Sequence, residues 1–497
     1  MKNYFYITTP IYYVNDKPHI GHAYTTILAD VISRYKRKLG EETFFLTGLD
    51  EHGQKVQEAA EKLGVDPKKH CDKMAPRFTS LWDKLHISND DFIRTTEDRH
   101  KKIVKKILQI VMENGDIYEA EYEGLYSVSE ERFITEKEAE SGVYRDIKTL
   151  KEKNYFFRMS KYQKQLIKHI HSNPKFIQPN HRKNEILGFL QKPLNDLCIS
   201  RPKSRLSWGI ELPFNKEYVT YVWFDALINY ITAAGYANDE NLFKRRWPAS
   251  CHLIGKDILT THAVYWPTML MSAGIDLPES IFAHGWWLMG ESKMSKSLGN
   301  IINPMDLIDD YGVDPVRYYL MREMVVGQDA SFTLESFIQR YNSDLANDFG
   351  NLLSRVTTLI HKNFAGKIPE PGELPKEALL IKSKSVELST LVTQMTNEMR
   401  LNDAIEEIMQ FIRGVNKYME KNAPWKMVKE DKASAGTVLY TACEALRIGA
   451  VLLSPVMPNR TLILLEVLNS DKVNYSWGGL VSGARLKDHD PLFPRVK

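Results

Sequence analysis

The stretch Pro18-His19-Ile20-Gly21-His22 stands between a segment with the character of a strand and one with the character of a helix. Upstream, residues 4–8 are aromatic and β-branched, as strands are. Downstream, apolar residues recur at helical spacing from Leu28 to Leu39. We therefore expect a strand, then a turn-rich loop over residues 10–18, and then a helix that opens near the two histidines.

The start of a helix is a favourable place for a phosphate group. Backbone N–H groups are free there, and the helix dipole is positive. Imidazoles add directed donors to phosphate oxygens, so His19 and His22 are candidate nucleotide-binding residues. Gly21 has no side chain, and a flat base could lie against its backbone. On this stretch alone, two surface histidines at a helix start are an equally good interpretation.

A second stretch, Lys293-Met294-Ser295-Lys296-Ser297, lies between Gly290 and Gly299. Its small polar residues predict a mobile surface loop. Positioned cations stabilise the charge that builds on a phosphate group under attack. We expect Lys296 to contact that charge, with Lys293 in support and Ser295 beside them at the nucleotide. The alternative is a solvated basic loop without a ligand, because lysines usually lie exposed to solvent.

The composition is typical of a soluble protein with more than one domain. The 497 residues are 43% apolar and carry a formal net charge of +3, so nothing demands a polyanionic partner. Basic runs such as Lys36-Arg37-Lys38 fit either nucleic-acid contacts or solvated helix faces. The four scattered cysteines favour a reducing cytoplasm. We expect no signal or transit segment and no apolar run long enough for a membrane.

Changes of pattern along the chain predict an α/β fold with a parallel sheet, an insertion and a helix bundle. Strand and helix signals alternate before and after the insertion, and the last part has the apolar spacing of bundle helices. The insertion contains short strand-like pieces at 122–128 and 155–159. The predicted divisions are 1–112 for the first half of the α/β domain, 113–220 for the insertion, 221–305 for the second half with the lysine loop, 306–335 for a linking region and 336–497 for the helical domain.

The two stretches together resemble the ATP-handling signatures of class I aminoacyl-tRNA synthetases, whose His-Ile-Gly-His and Lys-Met-Ser-Lys-Ser motifs they match at every position. From residues 6–15 to Leu492-Phe493-Pro494-Arg495, the chain is similar to the methionyl-tRNA synthetase family in its compact form. This resemblance implies a Rossmann-like catalytic domain and a helical anticodon-binding domain. It implies ATP-dependent activation of L-methionine to methionyl-adenylate, and its transfer to tRNA(Met) with release of AMP and pyrophosphate.

The resemblance also implies a methionine pocket. Asp50 would bind the substrate ammonium group, and aromatic rings offer sulfur contacts of about 0.3–1.5 kcal/mol each. A tyrosine hydroxyl and the His262 imidazole could recognise the thioether by weak hydrogen bonds. For any single aromatic residue, plain core packing is the alternative. The predicted pocket residues are Ile11, Tyr13, Asp50, Trp223, Ala226, Leu227, Tyr230, Ile258 and His262, and Arg201 would be the active-site arginine among the substrate-binding residues.

Two further roles follow from the resemblance. Asp257 would accept hydrogen bonds from the ribose of ATP, with a helix cap as the structural alternative. Asn351 and Arg355 are four residues apart and share one helix face. With Trp425, they match the residues with which the family recognises the CAU anticodon, by hydrogen bonds and stacking. Without the resemblance, a tryptophan packed inside the bundle would be the better interpretation.

The sequence departs from many relatives in the insertion. Residues 125–132 carry serine and glutamate where those relatives have zinc-binding Cys-x-x-Cys knuckles, so we expect ATP and Mg²⁺ but no structural zinc. The insertion would then be held by a hydrophobic core. The chain stops soon after the bundle, where some relatives add a tRNA-binding extension that dimerises them, so we expect a monomer. The candidate core residues are Tyr122, Leu125, Tyr126, Phe133 and Tyr144.

Two other functions stay open on the sequence. One is a different class I synthetase, or a related adenylyl-transferring ligase, since the same ATP motifs would serve it. The other is a noncatalytic tRNA-binding paralogue. The intact histidines, lysines and pocket residues speak against a noncatalytic paralogue. ATP–pyrophosphate exchange with each amino acid distinguishes a methionine-specific enzyme from a different synthetase or ligase.

Overall fold

The computed structural model describes residues 4–14, 17–127, 132–134, 139–140, 147–289, 292–293, 302–471 and 473–496. The chain forms two compact units. Unit 1 comprises Met1–Pro18, Lys36–Asp83 and Ser88–His284, and unit 2 comprises His19–Tyr35, Lys84–Ile87 and Gly285–Lys497.

The strands and the α-helices of the described residues are numbered separately, each in chain order. The strands are β1 (Tyr4–Tyr13), β2 (Glu42–Asp50), β3 (Asp91–Arg94), β4 (Ile117–Ser127), β5 (Arg132–Ile134), β6 (Ile147–Phe157), β7 (Ile177–Gln178), β8 (Leu197–Cys198), β9 (Ser200–Pro202), β10 (Glu211–Leu212), β11 (Asn215–Thr220), β12 (Cys251–Gly255), β13 (Ile281–His284), β14 (Trp287–Met289), β15 (Ser292–Lys293) and β16 (Ala330–Ser331). The α-helices are α1 (Ile20–Lys38), α2 (Gln54–Lys62), α3 (Pro67–Lys84), α4 (Asp98–Glu113), α5 (Gln163–Ser172), α6 (Asn180–Phe189), α7 (Val222–Leu227), α8 (Asn229–Ala234), α9 (Glu240–Arg246), α10 (Trp266–Ala273), α11 (Pro304–Tyr311), α12 (Val313–Glu323), α13 (Leu334–Arg340), α14 (Asn351–Phe364), α15 (Lys376–Asn397), α16 (Leu401–Asn422), α17 (Pro424–Met427), α18 (Lys432–Leu453) and α19 (Pro458–Val467). Short 3₁₀ turns cover Met159–Tyr162 and Lys256–Ile258, and π-helical turns cover Thr261–Tyr265 and Tyr341–Gly350.

Unit 1 is built on a parallel sheet with the order β3-β2-β1-β12-β13-β7. The first strand of the chain lies inside the sheet, and later strands add on both sides of it. In sheets of this kind, ligands bind beyond the carboxyl ends of the strands, where the order reverses. The predicted parallel α/β architecture is confirmed, and its topology directs attention to the end of β1.

Strand β1 is longer than the sequence predicts. Residues 10–13 were expected in a loop, but they continue β1 and pair with β2 after a register shift between Thr8 and Ile11. Pro10 is tolerated at this irregularity because proline cannot donate to a regular ladder. As expected, α1 opens at Ile20, next to the two histidines.

Helix α4 shows how amphipathic spacing sets the faces of unit 1. Its apolar residues Ile103, Ile107 and Val111 recur every four residues and are buried. The lysines between them, at 101–102 and 105–106, lie on the outer, partly or fully exposed side. Burial of each apolar side chain contributes about 1.5–3 kcal/mol. The lysine run is therefore the solvated helix face that its sequence favours.

The predicted insertion contains an antiparallel sheet with the order β5-β4-β6-β8. Strands β4 and β6 pair along their whole length, from Ile117 opposite Phe157 to Ser127 opposite Ile147. Of the strand-like pieces predicted at 122–128 and 155–159, residues 122–127 belong to β4 and residues 155–157 belong to β6, whereas Met159 begins a 3₁₀ turn. Of the predicted core of the insertion, Leu125 is half-buried. Tyr144 and the side chains of Tyr122, Tyr126 and Phe133 lie outside the described residues.

Unit 2 is a helix bundle with a small sheet of order β15-β14-β16. Its central helix, α18, is long and apolar enough to cross a membrane by length and composition, with a mean hydropathy of 1.4, contrary to the sequence-based expectation. That apolar window is entirely buried inside the protein. A helix that is apolar on every side is a core helix when other helices cover it.

A buried ion pair anchors α1 within unit 2. The Arg317 guanidinium on α12 lies 2.6 Å from the carboxylate of Asp30 on α1, and both side chains are fully buried. Arg317 also donates to the carbonyl oxygens of Leu85, Pro455 and Val456. A buried charge is tolerated only when its partners are present. The first turn of α1, with its two histidines, therefore belongs to a rigidly held helix.

Candidate active site

A small cavity opens in unit 1 at the carboxyl ends of β1 and β2. About 260 Å³ of space that protein atoms do not fill lies between its walls, including space open to solvent. This is the place where the strand order of the sheet reverses, so its position agrees with the general rule for parallel sheets. The lining residues are Pro10, Ile11, Tyr13, Asp50, Trp223, Ala226, Leu227, Asn229, Tyr230 and His262.

Three rings form an aromatic wall of the cavity. The Tyr13 ring meets the Trp223 ring edge to face, with centroids 6.4 Å apart and an interplanar angle of 84°. Trp223 meets the His262 imidazole in the same manner, at 6.3 Å and 81°. Perpendicular rings present both faces and edges to a ligand, and a thioether sulfur packs well against aromatic edges. The wall therefore suits an unbranched, polarizable side chain.

Tyr230 and His262 are joined by a hydrogen bond whose direction can be assigned. Nδ1 of His262 lies 3.0 Å from the carbonyl oxygen of Ile258, which can only accept. Nδ1 therefore carries the hydrogen, and Nε2 accepts from the Tyr230 hydroxyl at 2.8 Å. Burial lowers the pKa of His262 to about 4, so the imidazole is neutral near pH 7. The hydrogen that was expected to reach a sulfur is engaged within this pair.

Asp50 supplies the carboxylate of the cavity. It is the last residue of β2, lies in register with Tyr13 of β1, and is 2% exposed. Strand β2 delivers it to the same edge of the sheet as the aromatic wall. A carboxylate in so enclosed a place interacts strongly with a cationic group, because little water screens the pair. Asp50 is thus the acidic end of an otherwise largely apolar cavity.

Most of the predicted substrate-binding residues line the cavity, and two are not among its lining residues. Ile258 contributes its carbonyl oxygen to His262, but its side chain is not part of the lining. Arg201 lies in β9, where it donates to the Ser200 carbonyl oxygen at 2.7 Å and stacks over the Tyr221 ring at 4.6 Å. Those that line the cavity are Ile11, Tyr13, Asp50, Trp223, Ala226, Leu227, Tyr230 and His262.

Sequence reasoning missed Pro10 and Asn229. Asn229 is 1% exposed, and its amide nitrogen donates to the Ala226 carbonyl oxygen at 2.7 Å. Its side-chain oxygen is buried without a hydrogen-bond partner. The available signal was spacing, because Asn229 follows Ala226 by three residues and so continues the same face of the chain. Pro10 was missed because residues 10–13 were assigned to a loop.

In unit 2, His19 and His22 are stacked at the start of α1, with ring centroids 3.8 Å apart. The Gly21 N–H donates to Nδ1 of His19, and the His19 N–H donates to Nδ1 of His22, both at 3.1 Å. Each Nδ1 is therefore an acceptor, and each Nε2 carries the hydrogen. Burial and the neighbouring imidazole hold the pKa of His22 well below its usual value. Both Nε2 atoms at the start of α1 are therefore hydrogen-bond donors.

Two glycines allow a side chain to approach the backbone closely. A Cβ atom on Gly21 would lie 2.9 Å from Cε1 of His19, so the imidazole occupies the space that a side chain would need. Likewise, a Cβ atom on Gly255 would lie 2.6 Å from the Asp257 carboxylate, on the turn after β12. Glycine at these positions lets His19 and Asp257 fold back on the chain.

The lysine stretch is described only in part. Ser292 and Lys293 form β15, in which Lys293 pairs with Leu288 of β14. Ser295 and Lys296 lie outside the described residues. Their roles therefore stay predictions from the sequence.

The three residues predicted for anticodon recognition lie in unit 2. Asn351 begins α14 and is exposed. The Arg355 guanidinium lies 5.2 Å above the Trp425 ring, and its Nη1 is 3.7 Å from the Glu420 carboxylate. Trp425 is 36% exposed, whereas Trp266 in unit 1 is 1% exposed. The exposure of Trp425 leaves part of its indole accessible to a ligand, which a tryptophan packed in the core could not offer.

No group of three or more His, Cys, Asp or Glu residues that could hold a metal ion occurs in the part of the chain that the structure describes. All four cysteines are free and buried.

Matches to known families extend along the chain. The model of the family described as "tRNA synthetases class I (M)" matches residues 5–143 and 137–357. The model described as "Anticodon binding domain of methionyl tRNA ligase" matches residues 368–487. Together with the parallel sheet and the paired histidines, these matches define a class I aminoacyl-tRNA synthetase.

Individual relatives narrow the assignment. The chain is 47% identical to the methionine–tRNA ligase of Fusobacterium nucleatum, over 100% of this chain and 80% of the relative. It is 44% identical to that of Thermotoga maritima, over 99% and 80%. The Mycobacterium tuberculosis methionyl-tRNA synthetase in complex with methionyl-adenylate superposes with a TM-score of 0.95, at 41% identity over 100% of both chains. The chain belongs to the methionyl-tRNA synthetase family, as its motifs predicted.

Proposed function

We propose that this chain joins L-methionine to tRNA(Met), using ATP and releasing AMP and pyrophosphate. The observation that carries the proposal is the aromatic cavity with one carboxylate, at the reversal point of the sheet, in a chain that matches this family of ligases along its length. The fold, the ligase class and the family agree with it. A different class I synthetase and a noncatalytic paralogue are not favoured.

In the first step, the cavity binds methionine. Asp50 pairs with the ammonium group, which leaves the carboxylate of the amino acid as the nucleophile. Tyr13, Trp223 and His262 enclose the thioether side chain, and Ile11, Ala226, Leu227 and Tyr230 complete the apolar surface. Arg201 is the active-site arginine that the resemblance implies, and Ile258 acts through its hydrogen bond to His262.

In the same step, ATP supplies the α-phosphate that the carboxylate attacks. His19 and His22 donate from Nε2 to phosphate oxygens at the start of α1, and Asp257 accepts from the ribose. Gly21 leaves the room that the His19 imidazole occupies, which keeps that imidazole at the start of α1 beside the nucleotide, and Ser295 supports the nucleotide. Lys293 and Lys296 stabilise the departing pyrophosphate. Mg²⁺ is expected mainly on the phosphates themselves, since it commonly keeps several waters and few protein ligands.

In the second step, the terminal hydroxyl of tRNA attacks the activated carbonyl. No protein nucleophile is needed, because positioning and electrostatic stabilisation supply the rate. Asn351, Arg355 and Trp425 select the tRNA by contacting anticodon bases. Stacking on an exposed aromatic residue is worth about 1–3 kcal/mol per base.

We further propose a monomeric, cytoplasmic enzyme without structural zinc, with the domain divisions given above. Free, buried cysteines are consistent with a reducing compartment. Sedimentation at micromolar concentration tests the monomer, and metal analysis of the pure protein tests the absence of zinc. A stable dimer or stoichiometric zinc would contradict the respective proposal.

The deciding experiment is ATP–pyrophosphate exchange with each of the twenty amino acids, followed by aminoacylation of tRNA(Met). Exchange with methionine alone supports the whole proposal. Exchange with another amino acid would keep the synthetase class and reject the pocket assignment. Binding of tRNA without any exchange would identify a noncatalytic paralogue.

A further inference from the structure

A buried carboxylate beside the cavity has no role in the mechanism above. Asp225 lies on α7, the short helix that also carries Trp223, Ala226 and Leu227 of the lining, and its side chain is fully buried. One carboxylate oxygen lies 2.7 Å from Nδ1 of His52, and the other lies 2.6 Å from Nε2 of His100. A carboxylate that is ionised only accepts, so both imidazole nitrogens donate to it.

The carboxylate is held in its charged form. Burial by itself raises the pKa of Asp225, but the attraction of His52 and the hydrogen bonds from His100 and His52 outweigh it and leave the pKa below its usual value. A buried charge of this kind is costly unless it is fully paired. The two imidazoles therefore stabilise Asp225 where it is, and Asp225 fixes the orientation of each ring.

The two imidazoles belong to different segments of unit 1. His52 follows Asp50 by two residues, in the segment that leaves β2, and is 4% exposed. The residue between them, Glu51, is tied at its carboxylate to Arg94 at 2.6 Å and at its carbonyl oxygen to the Trp208 indole at 2.5 Å. His100 belongs to α4 and is fully buried. Asp225 thus bridges α7 to a segment that is itself rigidly held.

Helix α7 needs such an anchor. It has six residues, and a helix of that length is not stable by itself, so tertiary contacts decide where it lies. Its apolar residues Ala226 and Leu227 face the cavity and can slide, whereas a bidentate carboxylate cannot. The distance from α7 to Asp50 sets the width of the cavity.

We propose that Asp225 is a positioning residue for the amino-acid substrate, which fixes the α7 wall against the Asp50 segment through His52 and His100. The inference rests on the proposed function, because it concerns the same cavity. Asp225 does not line the cavity and touches no substrate; it acts through Trp223 and Asp50. Its loss widens or tilts the cavity while the nucleotide residues stay in place.

The test compares variants of the full chain in ATP–pyrophosphate exchange, with methionine and ATP varied separately. Asp225→Asn removes the charge and one acceptor, and we expect the KM for methionine to rise roughly 10–100-fold, the cost of a small misplacement of binding groups. The KM for ATP should stay within about threefold of the wild-type value. An equal rise in both constants, or no rise in either, would overturn the proposal.

Two pairs of substitutions separate hydrogen bonding from mere packing. Asparagine places its amide nitrogen near Nδ1 of histidine, and glutamine places its own near Nε2. His52→Asn and His100→Gln should therefore keep the KM for methionine close to the wild-type value, whereas His52→Ala and His100→Ala should raise it. Equal effects of the conservative and the alanine variants would contradict the positioning role. If Asp225→Asn does not fold, these pairs decide.

A matched control is Asp116, another buried carboxylate of unit 1, which accepts from Lys161, Tyr162 and Ser272. Asp116→Asn should lower thermal stability without a selective effect on the KM for methionine. A wild-type chain that exchanges no methionine would refute the proposed function. A wild-type chain with normal exchange and variants with unchanged KM would refute only the positioning role.

Discussion

The hydroxyl of Tyr230 donates a hydrogen bond of 2.8 Å to Nε2 of His262, and the Ile258 carbonyl oxygen receives the other imidazole hydrogen. Both polar hydrogens of this pair are engaged before any substrate arrives. A thioether in the cavity therefore meets ring faces and ring edges, and its sulfur is favoured through dispersion and polarizability. Selectivity for methionine then depends on the shape of the cavity more than on a hydrogen bond to sulfur.

Replacing Tyr230 by phenylalanine tests this selectivity. The ratio of kcat/KM for methionine to that for norleucine, in which a methylene replaces sulfur, should stay within about threefold of the wild-type ratio. The variant should lose roughly 1–3 kcal/mol of stability, because buried Nε2 of His262 loses its donor. Exchange assays and thermal melting measure the two effects. A tenfold or larger collapse of the ratio would mean that the hydroxyl binds sulfur directly.

The stacked histidines are expected to act on ATP and not on methionine. His22→Ala should lower kcat for exchange by roughly 10²–10³-fold, since it removes one preorganised donor to the phosphates. The KM for methionine should change by less than about threefold. His361→Ala, at an exposed position of α14, is the control and should leave both constants near wild type. A selective rise in the KM for methionine would speak against the assignment.

Lys296→Ala should lower the rate of methionine activation by about 10²-fold or more, with little change in methionine affinity. The physical reason is that the ammonium group stabilises charge that develops only during attack on the α-phosphate. Single-turnover formation of the adenylate, measured at several methionine concentrations, separates rate from affinity. Equal losses in both would refute this role.

Trp425→Ala should separate the two steps of the reaction. Loss of one stacking platform costs about 1–3 kcal/mol, so kcat/KM for aminoacylation of tRNA(Met) should fall about 10–100-fold. Pyrophosphate exchange without tRNA should not change. Leu462→Ala, a similarly exposed apolar site on α19, controls for general effects and should leave aminoacylation intact. Parallel loss of exchange and aminoacylation would be inconsistent with an anticodon role.

The depressed pKa of His262 predicts a pH dependence of stability. Burial lowers this pKa from 6.5 to about 4, so between these values the unfolded chain binds more protons than the folded one. The share of folding stability linked to neutral His262 is fully present above pH 6.5 and is lost as the pH falls toward 4. At pH 5 this loss is about 2 kcal/mol.

Thermal melting at pH 7 and pH 5 measures this pH-dependent loss of stability, when the wild type is compared with His262→Gln. The drop in melting temperature between the two pH values should be smaller in the variant. Burial lowers the pKa of His252 and His22 as well, so part of the wild-type drop should remain. An identical drop in both proteins would show that folding does not lower the pKa of His262.

Local patterns in the sequence predicted much of the fold and of the site. The helical spacing of α14, α16 and α18 and the strand character of residues 4–8 are local properties, and motif matching identified most of the cavity lining. The extension of β1 through residues 10–13 was missed, because a proline normally marks a loop and only pairing with β2 overrides that preference.

Relationships between distant segments could not be predicted in this way. His52, His100 and Asp225 are separated by up to 173 residues, and no spacing rule connects them. The same holds for Arg317 and Asp30, which are 287 residues apart. Ile258 was assigned to the lining by resemblance, but the sequence does not tell whether a residue faces a cavity or supports it from behind.

The apolar core helix α18 has a consequence for how the protein is made. By hydropathy alone, this segment would be a candidate for membrane insertion while the chain emerges from the ribosome. Helices α14, α15 and α16, which pack against it, are synthesised earlier and can cover it as it appears, while α19 follows only after a few residues. The order of helices along the chain thus gives α18 apolar partners as soon as it is made, which shortens the time for which its apolar surface is exposed.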